Sequence, residues 1–122
     1  MRSIHPVFRY PDASAAIEQL CAAFGFDVRR RYDGADGAVA HAVLGLDDHT
    51  VMVGSGRDSR GRPADDDYAV YVAVDDVDAH HERARAAGAQ IVRAPFDTDY
   101  GSRDYVARDL AGNVWSFGTY RP

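Results

Sequence analysis

Few side chains in this sequence are equipped for chemistry, and their types narrow the choices. There are five histidines (His5, His41, His49, His80 and His81), one cysteine (Cys21) and two glutamates (Glu18 and Glu82). All fourteen basic residues are arginine. Without lysine, Schiff-base catalysis is excluded. A single cysteine excludes an intrachain disulfide and any multi-cysteine zinc or iron–sulfur site. Ser116 has no evident histidine–carboxylate partner and so carries no nucleophile signature. The run Asp65, Asp66 and Asp67 lacks the alternating ligand spacing of a calcium loop and reads as solvated linker.

The remaining candidates fall on segments that read as strands. His5 is placed to act as a general base or hydrogen-bond donor. Arg9 is expected to point inward, where an unpaired charge is costly, so it either meets an anionic ligand group or pairs with an acid such as Asp104. Arg103, beside the turn Tyr100-Gly101-Ser102, is positioned to clamp a carboxylate or phosphate at a cleft mouth. Tyr71 and Tyr105 are candidates to stack on a flat ligand, Tyr105 on condition that Val106 packs under a helix. The direction of His41 stays open, because both faces of its strand are apolar. His80 and His81, adjacent on a helix, must point in different directions, with a solvated surface expected for at least one. His49 reads as an exposed turn residue and Cys21 as core.

The elements that position these residues repeat. A chain of 122 residues, 46% hydrophobic and 27% charged, is an ordinary globular domain with room for one core. Shifting the sequence by 63 positions superposes Asp12 on Asp75 and Gly25 on Gly88. Around each pair the same grammar recurs: a β-rich run, an acidic helix start, about three helical turns ended by glycine, and another β-rich run. On the first helix Ala13, Ala16, Ile17, Leu20, Cys21 and Phe24 form one apolar stripe. Two further strands follow in each half: Ala38–Gly45 and Thr50–Gly54, then Asp104–Arg108 and Asn113–Thr119. The reading is α+β: βαβββ modules at 1–55 and 68–122, joined by a polar linker at 56–67.

Alternation separates the faces of these strands. Val70, Val72 and Val74 suit packing under helices, which leaves Ala69, Tyr71 and Ala73 on the second face. Trp115 and Phe117 take the helix side of the last strand and Ser116 the other. Phe8 and Tyr10 do so in the first strand, leaving His5, Val7 and Arg9. The two modules are expected to form a curved, mixed eight-stranded sheet around a cleft, with helices on the outer face.

Paired βαβββ modules, the opening FRYPDASAAIEQLCAAFGF and the closing YGSRDYVARDLAGNVWSFGTY resemble the vicinal oxygen chelate superfamily over nearly the whole chain. That superfamily includes glyoxalase I, extradiol dioxygenases, bleomycin-resistance proteins and PhnB-like proteins. The closing D-x-x-G-N-x-W-x-F run is similar to the last two branches. The resemblance implies up to four metal-ligand positions on the inner face. Carried over residue by residue, His5 matches the first, seven residues before Asp12. The others fall near Met52, at Ala69 beside Tyr68, and on Ser116. Thioether, methyl and hydroxyl do not make a hard divalent-metal site.

The resemblance and these substitutions together imply a metal-independent protein that holds a small organic molecule. Its cleft would be lined by His5, Arg9, Met52, Tyr71, Arg103, Tyr105 and Ser116, at a homodimer boundary as in such relatives. No cofactor is expected on this reading. The alternative is a lyase, isomerase or dioxygenase of the glyoxalase type using a divalent metal through His5, with His41 as a conceivable second ligand. An assembly protein with a filled cleft is a third possibility. A net charge of −5 without a long basic run argues against nucleic acid. No apolar run suits a membrane, and no secretory signal is visible, so a cytoplasmic location is expected. Whether the modules pair within one chain or between chains stays open.

Overall fold

A computed structural model of the chain describes residues 1–56 and 69–122. The first module runs β1 (Val7–Tyr10), α1 (Ala13–Phe24), β2 (Asp27–Asp33), β3 (Val39–Leu46) and β4 (His49–Ser55). The second runs β5 (Val70–Ala73), α2 (Val77–Ala86), β6 (Gln90–Asp97), β7 (Arg103–Arg108) and β8 (Val114–Gly118). Of the expected linker only Gly56 is described; Asp65, Asp66, Asp67 and Tyr68 lie outside the described residues.

Local chemistry sets the helix ends. The Asp12 side chain caps α1 by accepting from the Ala15 N–H, and Gly25, at φ +87°, closes it while donating to the Cys21 and Leu20 carbonyls. In the second module Asp76, not Asp75, is the cap, accepting from the Ala79 N–H. There Ala87 ends the helix and Gly88, at φ +86°, takes the left-handed turn.

The eight strands form two four-stranded mixed sheets of matching order, β1-β4-β3-β2 and β5-β8-β7-β6. The first two strands of each order are parallel and the remaining pairs antiparallel. Each sheet buries one face. Leu44, Val51 and Val53 in the first, with Val72, Tyr105, Ala107, Trp115 and Phe117 in the second, join residues of both helices in one core. Trp115 is its centre, with ring centroids 5.2 Å from Phe8 and 5.6 Å from both Phe24 and Phe26.

The modules therefore pack on each other within one chain, through their helix-bearing faces. Polar contacts reinforce that junction. Arg83 of α2 donates to the Ala22 and Cys21 carbonyls at the end of α1, at 3.0 and 3.1 Å. The opposite face of each sheet stays open.

Candidate functional site: the open faces of the two sheets

On the first sheet, register places Val7 beside Met52 and Met52 beside Val43, all away from the helices. Arg9 follows on the same face, and glycine makes room for it: a Cβ on Gly54 would stand 3.1 Å from the Arg9 guanidinium. Gly45 is likewise covered by Arg29, which pairs with Asp27. Arg9 is exposed, and the expected pairing with Asp104 is not made: that carboxylate belongs to the other sheet and is bound there by Ser102.

His5 precedes β1 at the rim of this face, and both ring nitrogens are engaged. Nδ1 lies 2.6 Å from the Thr50 hydroxyl and Nε2 lies 2.7 Å from the Ser3 hydroxyl. Thr50 pairs with Gly45, four residues and about 13 Å along β3 from His41. His41 instead stacks on Tyr32, with centroids 6.2 Å apart. Among the described residues no group of three His, Cys, Asp or Glu side chains converges as a metal site. With Met52 and Ser116 at two of the positions that the family resemblance implies, the donors present do not fit a hard divalent cation.

On the second sheet Tyr71, Ser116 and Val106 form one row across β5, β8 and β7. Beside it lies a tight polar cluster. Asp104, 4% exposed, accepts from the Ser102 hydroxyl and, at 3.4 Å, from the Tyr100 hydroxyl. Gly118 pairs with Asp104, and a Cβ there would collide with the Asp104 carboxylate and stand 2.6 Å from the Tyr71 hydroxyl. That hydroxyl is withdrawn from solvent and among the described residues meets no hydrogen-bond partner in good geometry, although Ser102 and the Tyr120 backbone are neighbours. Burial pushes its pKa up, and the nearby Asp104 adds to the rise.

Two expectations need correction. Tyr105 is on the helix side, fully buried, with its hydroxyl 2.5 Å from His80 Nδ1 and its ring 5.0 Å from Phe117. Val106 takes the open face instead, because the larger ring gains more from burial and His80 satisfies its hydroxyl. Arg103 does not face a cleft mouth free for an anion. It opens β7 in ion pairs with Asp78 of α2 at 3.0 Å and Asp97 of β6 at 3.1 Å.

Two residues outside the expected site carry more than the sequence showed. His80 is wedged between modules, its Nε2 donating to the Phe24 carbonyl at 3.1 Å, so its Nδ1 accepts from Tyr105. Burial depresses its pKa. His80 and His81 are both half-buried, where a solvated surface is expected for at least one of them. Asp109 is 4% exposed and gathers the Tyr10 hydroxyl, the Trp115 indole N–H and the Asn113 amide. The D-x-x-G-N-x-W run holds three of these residues, Asp109, Asn113 and Trp115, and the first accepts from the other two.

The comparisons agree with this architecture. A family model described as Glyoxalase/Bleomycin resistance protein/Dioxygenase superfamily matches residues 2–117. An uncharacterized protein of Mycobacterium bovis is 32% identical over 128 residues, covering 95% of this chain and 82% of its own. TioX from Micromonospora sp. ML1 is 32% identical with a TM-score of 0.78, covering 99% of this chain and 98% of its own. Glyoxalase I from Zea mays, at 23% identity and a TM-score of 0.78, covers 99% of this chain and 45% of its own, a likeness of fold. This chain belongs to the glyoxalase/bleomycin resistance protein/dioxygenase superfamily.

Proposed function

We propose that this protein binds a small organic molecule without a metal, on the open sheet faces, in a cleft completed by a second copy of the chain. The carrying observation is the Tyr71 hydroxyl, withdrawn from solvent beside Gly118 and, among the described residues, without a hydrogen bond of good geometry. A buried donor without an acceptor is costly, and a ligand acceptor reaching it recovers that cost. Ser116 of the same sheet would offer this ligand a hydroxyl, and Met52 and Arg9 of the second copy's first sheet an apolar contact and a positive charge. The metal-free part of the reading rests on His5, whose two ring nitrogens already have partners, and on the thioether and hydroxyl at two of the other ligand positions that the resemblance implies. The alternative, a metal-dependent lyase, isomerase or dioxygenase, requires His5 to surrender one of those partners.

The second copy is invoked because the open faces leave large apolar side chains in water. Val7 is 52% exposed and Tyr32 56% exposed. Sedimentation should give a dimer, and a monomer at all concentrations would count against a shared cleft. The binding test is calorimetry of hits from a fragment library against the wild type and Tyr71→Phe. Losing a hydrogen bond to the hydroxyl should weaken binding by about 1 kcal/mol, roughly fivefold. Hits indifferent to Tyr71→Phe would remove the observation on which the reading stands.

A further inference from the structure

On the open face of the second sheet two opposite charges line one cavity and do not meet. The cavity holds about 350 Å³, at the low end of the roughly 300–1,000 Å³ of small-molecule sites. Register puts Asp104 of β7 beside Phe96 of β6, and Val106 beside Arg93, so all four share the face already described. Among the described residues neither charge is answered by another. The Arg93 guanidinium lies over the Phe96 ring, 3.5 Å from its centroid, and the Asp104 carboxylate accepts from the Ser102 and Tyr100 hydroxyls alone. Of the other acids on the lining, Asp97 is held by Arg103 and Asp99 is exposed.

The two charges differ in what they cost. Arg93 is exposed and keeps its water. Asp104 is 4% exposed, and a buried carboxylate answered by neutral hydroxyls lacks the compensation that a cation supplies. It lies across β8 where Gly118 leaves room for it. Its bond from the Tyr100 hydroxyl is long, at 3.4 Å, and Tyr100 is itself 65% exposed, so a ligand ammonium can take that place. The turn that carries Tyr100 is closed by Thr98, whose N–H and hydroxyl both donate to the Ser102 carbonyl, with Gly101 left-handed at φ +85°. Tyr100 therefore stands at the cavity beside Phe96 as an aromatic wall.

We propose that this cavity binds a small aromatic amino carboxylate as its zwitterion, with the ammonium at Asp104, the carboxylate at Arg93 and the ring against Tyr100. One such ligand supplies both missing counter-charges. A simple amine would leave Arg93 unanswered and meet its repulsion, and a simple acid would leave Asp104 uncompensated and add a like charge beside it. The inference rests on the reading of the open faces as the ligand surface and names the class of ligand that the second sheet selects.

The test uses the full chain and three probes that share one ring: L-phenylalanine, 2-phenylethylammonium and 3-phenylpropionate. Calorimetry gives affinity, and the backbone amide resonances of Tyr100, Gly101 and Asp104 report position. Saturable phenylalanine binding that moves these resonances is expected, with each single-charge probe about three- to tenfold weaker. Arg93→Gln, a change at an exposed side chain, should lower phenylalanine to the affinity of the amine. Asp104→Asn, which keeps an oxygen for the Ser102 hydroxyl, should lower it to that of the acid. Equal affinity for the three probes, tighter binding of either single charge, unmoved turn resonances, or indifference to Arg93→Gln would each overturn the inference. If fragment hits still feel Tyr71→Phe in that event, the ligand face stands and the ligand class alone falls; if no small molecule binds the face, both fall.

Discussion

Replacing Asp109 by Ala should unfasten the two modules from each other. Its carboxylate accepts from the Tyr10 hydroxyl at 2.6 Å and from the Trp115 indole at 3.1 Å. It also accepts the Asn113 side-chain and backbone N–H groups and the Ala111 N–H, each at 3.0 Å. Tyr10 belongs to β1 and Trp115 to β8, so the acid ties the first strand to the last. Each buried donor left without an acceptor costs about 1–3 kcal/mol. Because these bonds share two oxygens and their losses do not add, about 3–5 kcal/mol is expected for the whole cluster. That is a large part of the 5–15 kcal/mol typical of a domain. Asp109→Asn, which keeps the volume but turns an amide toward the donors, should cost about 2 kcal/mol. Urea unfolding followed by far-UV dichroism reads both. With a slope of about 1–3 kcal/mol/M, Asp109→Ala should lower the midpoint by on the order of 2 M. A loss under about 0.5 kcal/mol, the scale of an ordinary surface change, would refute the assignment of Asp109 as the junction's anchor.

Stability should fall on mild acidification through His80. Its folded pKa is depressed by burial, so the unfolded chain takes the proton first, and the stability present above about pH 6.5 is lost as the pH drops below it. Urea midpoints at pH 8 and 5.5 should differ more in the wild type than in His80→Gln; equal differences would show that another group titrates. Asp27 and Glu82, lowered by hydrogen bonds from Arg29 and Arg85, act only in more acid solution, at and below the ordinary carboxylate range. Tyr71→Phe should leave the ligand-free protein as stable as the wild type or up to about 1 kcal/mol more so, since it removes an unsatisfied hydroxyl. A clear destabilisation in thermal melts would mean that the hydroxyl is satisfied. Gly118→Ala should cost about 1–3 kcal/mol through collision with Asp104 and Tyr71; an unchanged melting temperature would show that this corner yields freely.

Local signals carried most of the architecture. Asp12 and Gly25 fix the ends of α1, and alternation in Val70–Val74 and Trp115–Phe117 separates buried from open faces with the observed parity. Where alternation offered two choices, as at Tyr105 and Val106, the decision rested on a residue 25 positions away, His80, which accepts the phenol proton. Arg103 departs from its expected place for a similar reason. Its partner Asp78 stands on α2, and sequence spacing does not show that the start of β7 passes that helix. The junction between modules was the least legible part, because its ties join residues more than fifty positions apart: His80 to Phe24, Arg83 to Cys21, Tyr10 to Asp109. The glycines of β3 and β4 held an unread message, since Gly45 and Gly54 are the places where Arg29 and Arg9 lie across the sheet.

The metal-free reading of the open face is tested most directly by elemental mass spectrometry of untagged protein. The protein would first be incubated with zinc, nickel, manganese and ferrous iron and then dialysed thoroughly. With both His5 nitrogens engaged and Met52 and Ser116 at two other ligand positions implied by the resemblance, no near-stoichiometric retention is expected. Retention of about one ion per chain, abolished by His5→Ala while the fold persists, would contradict it.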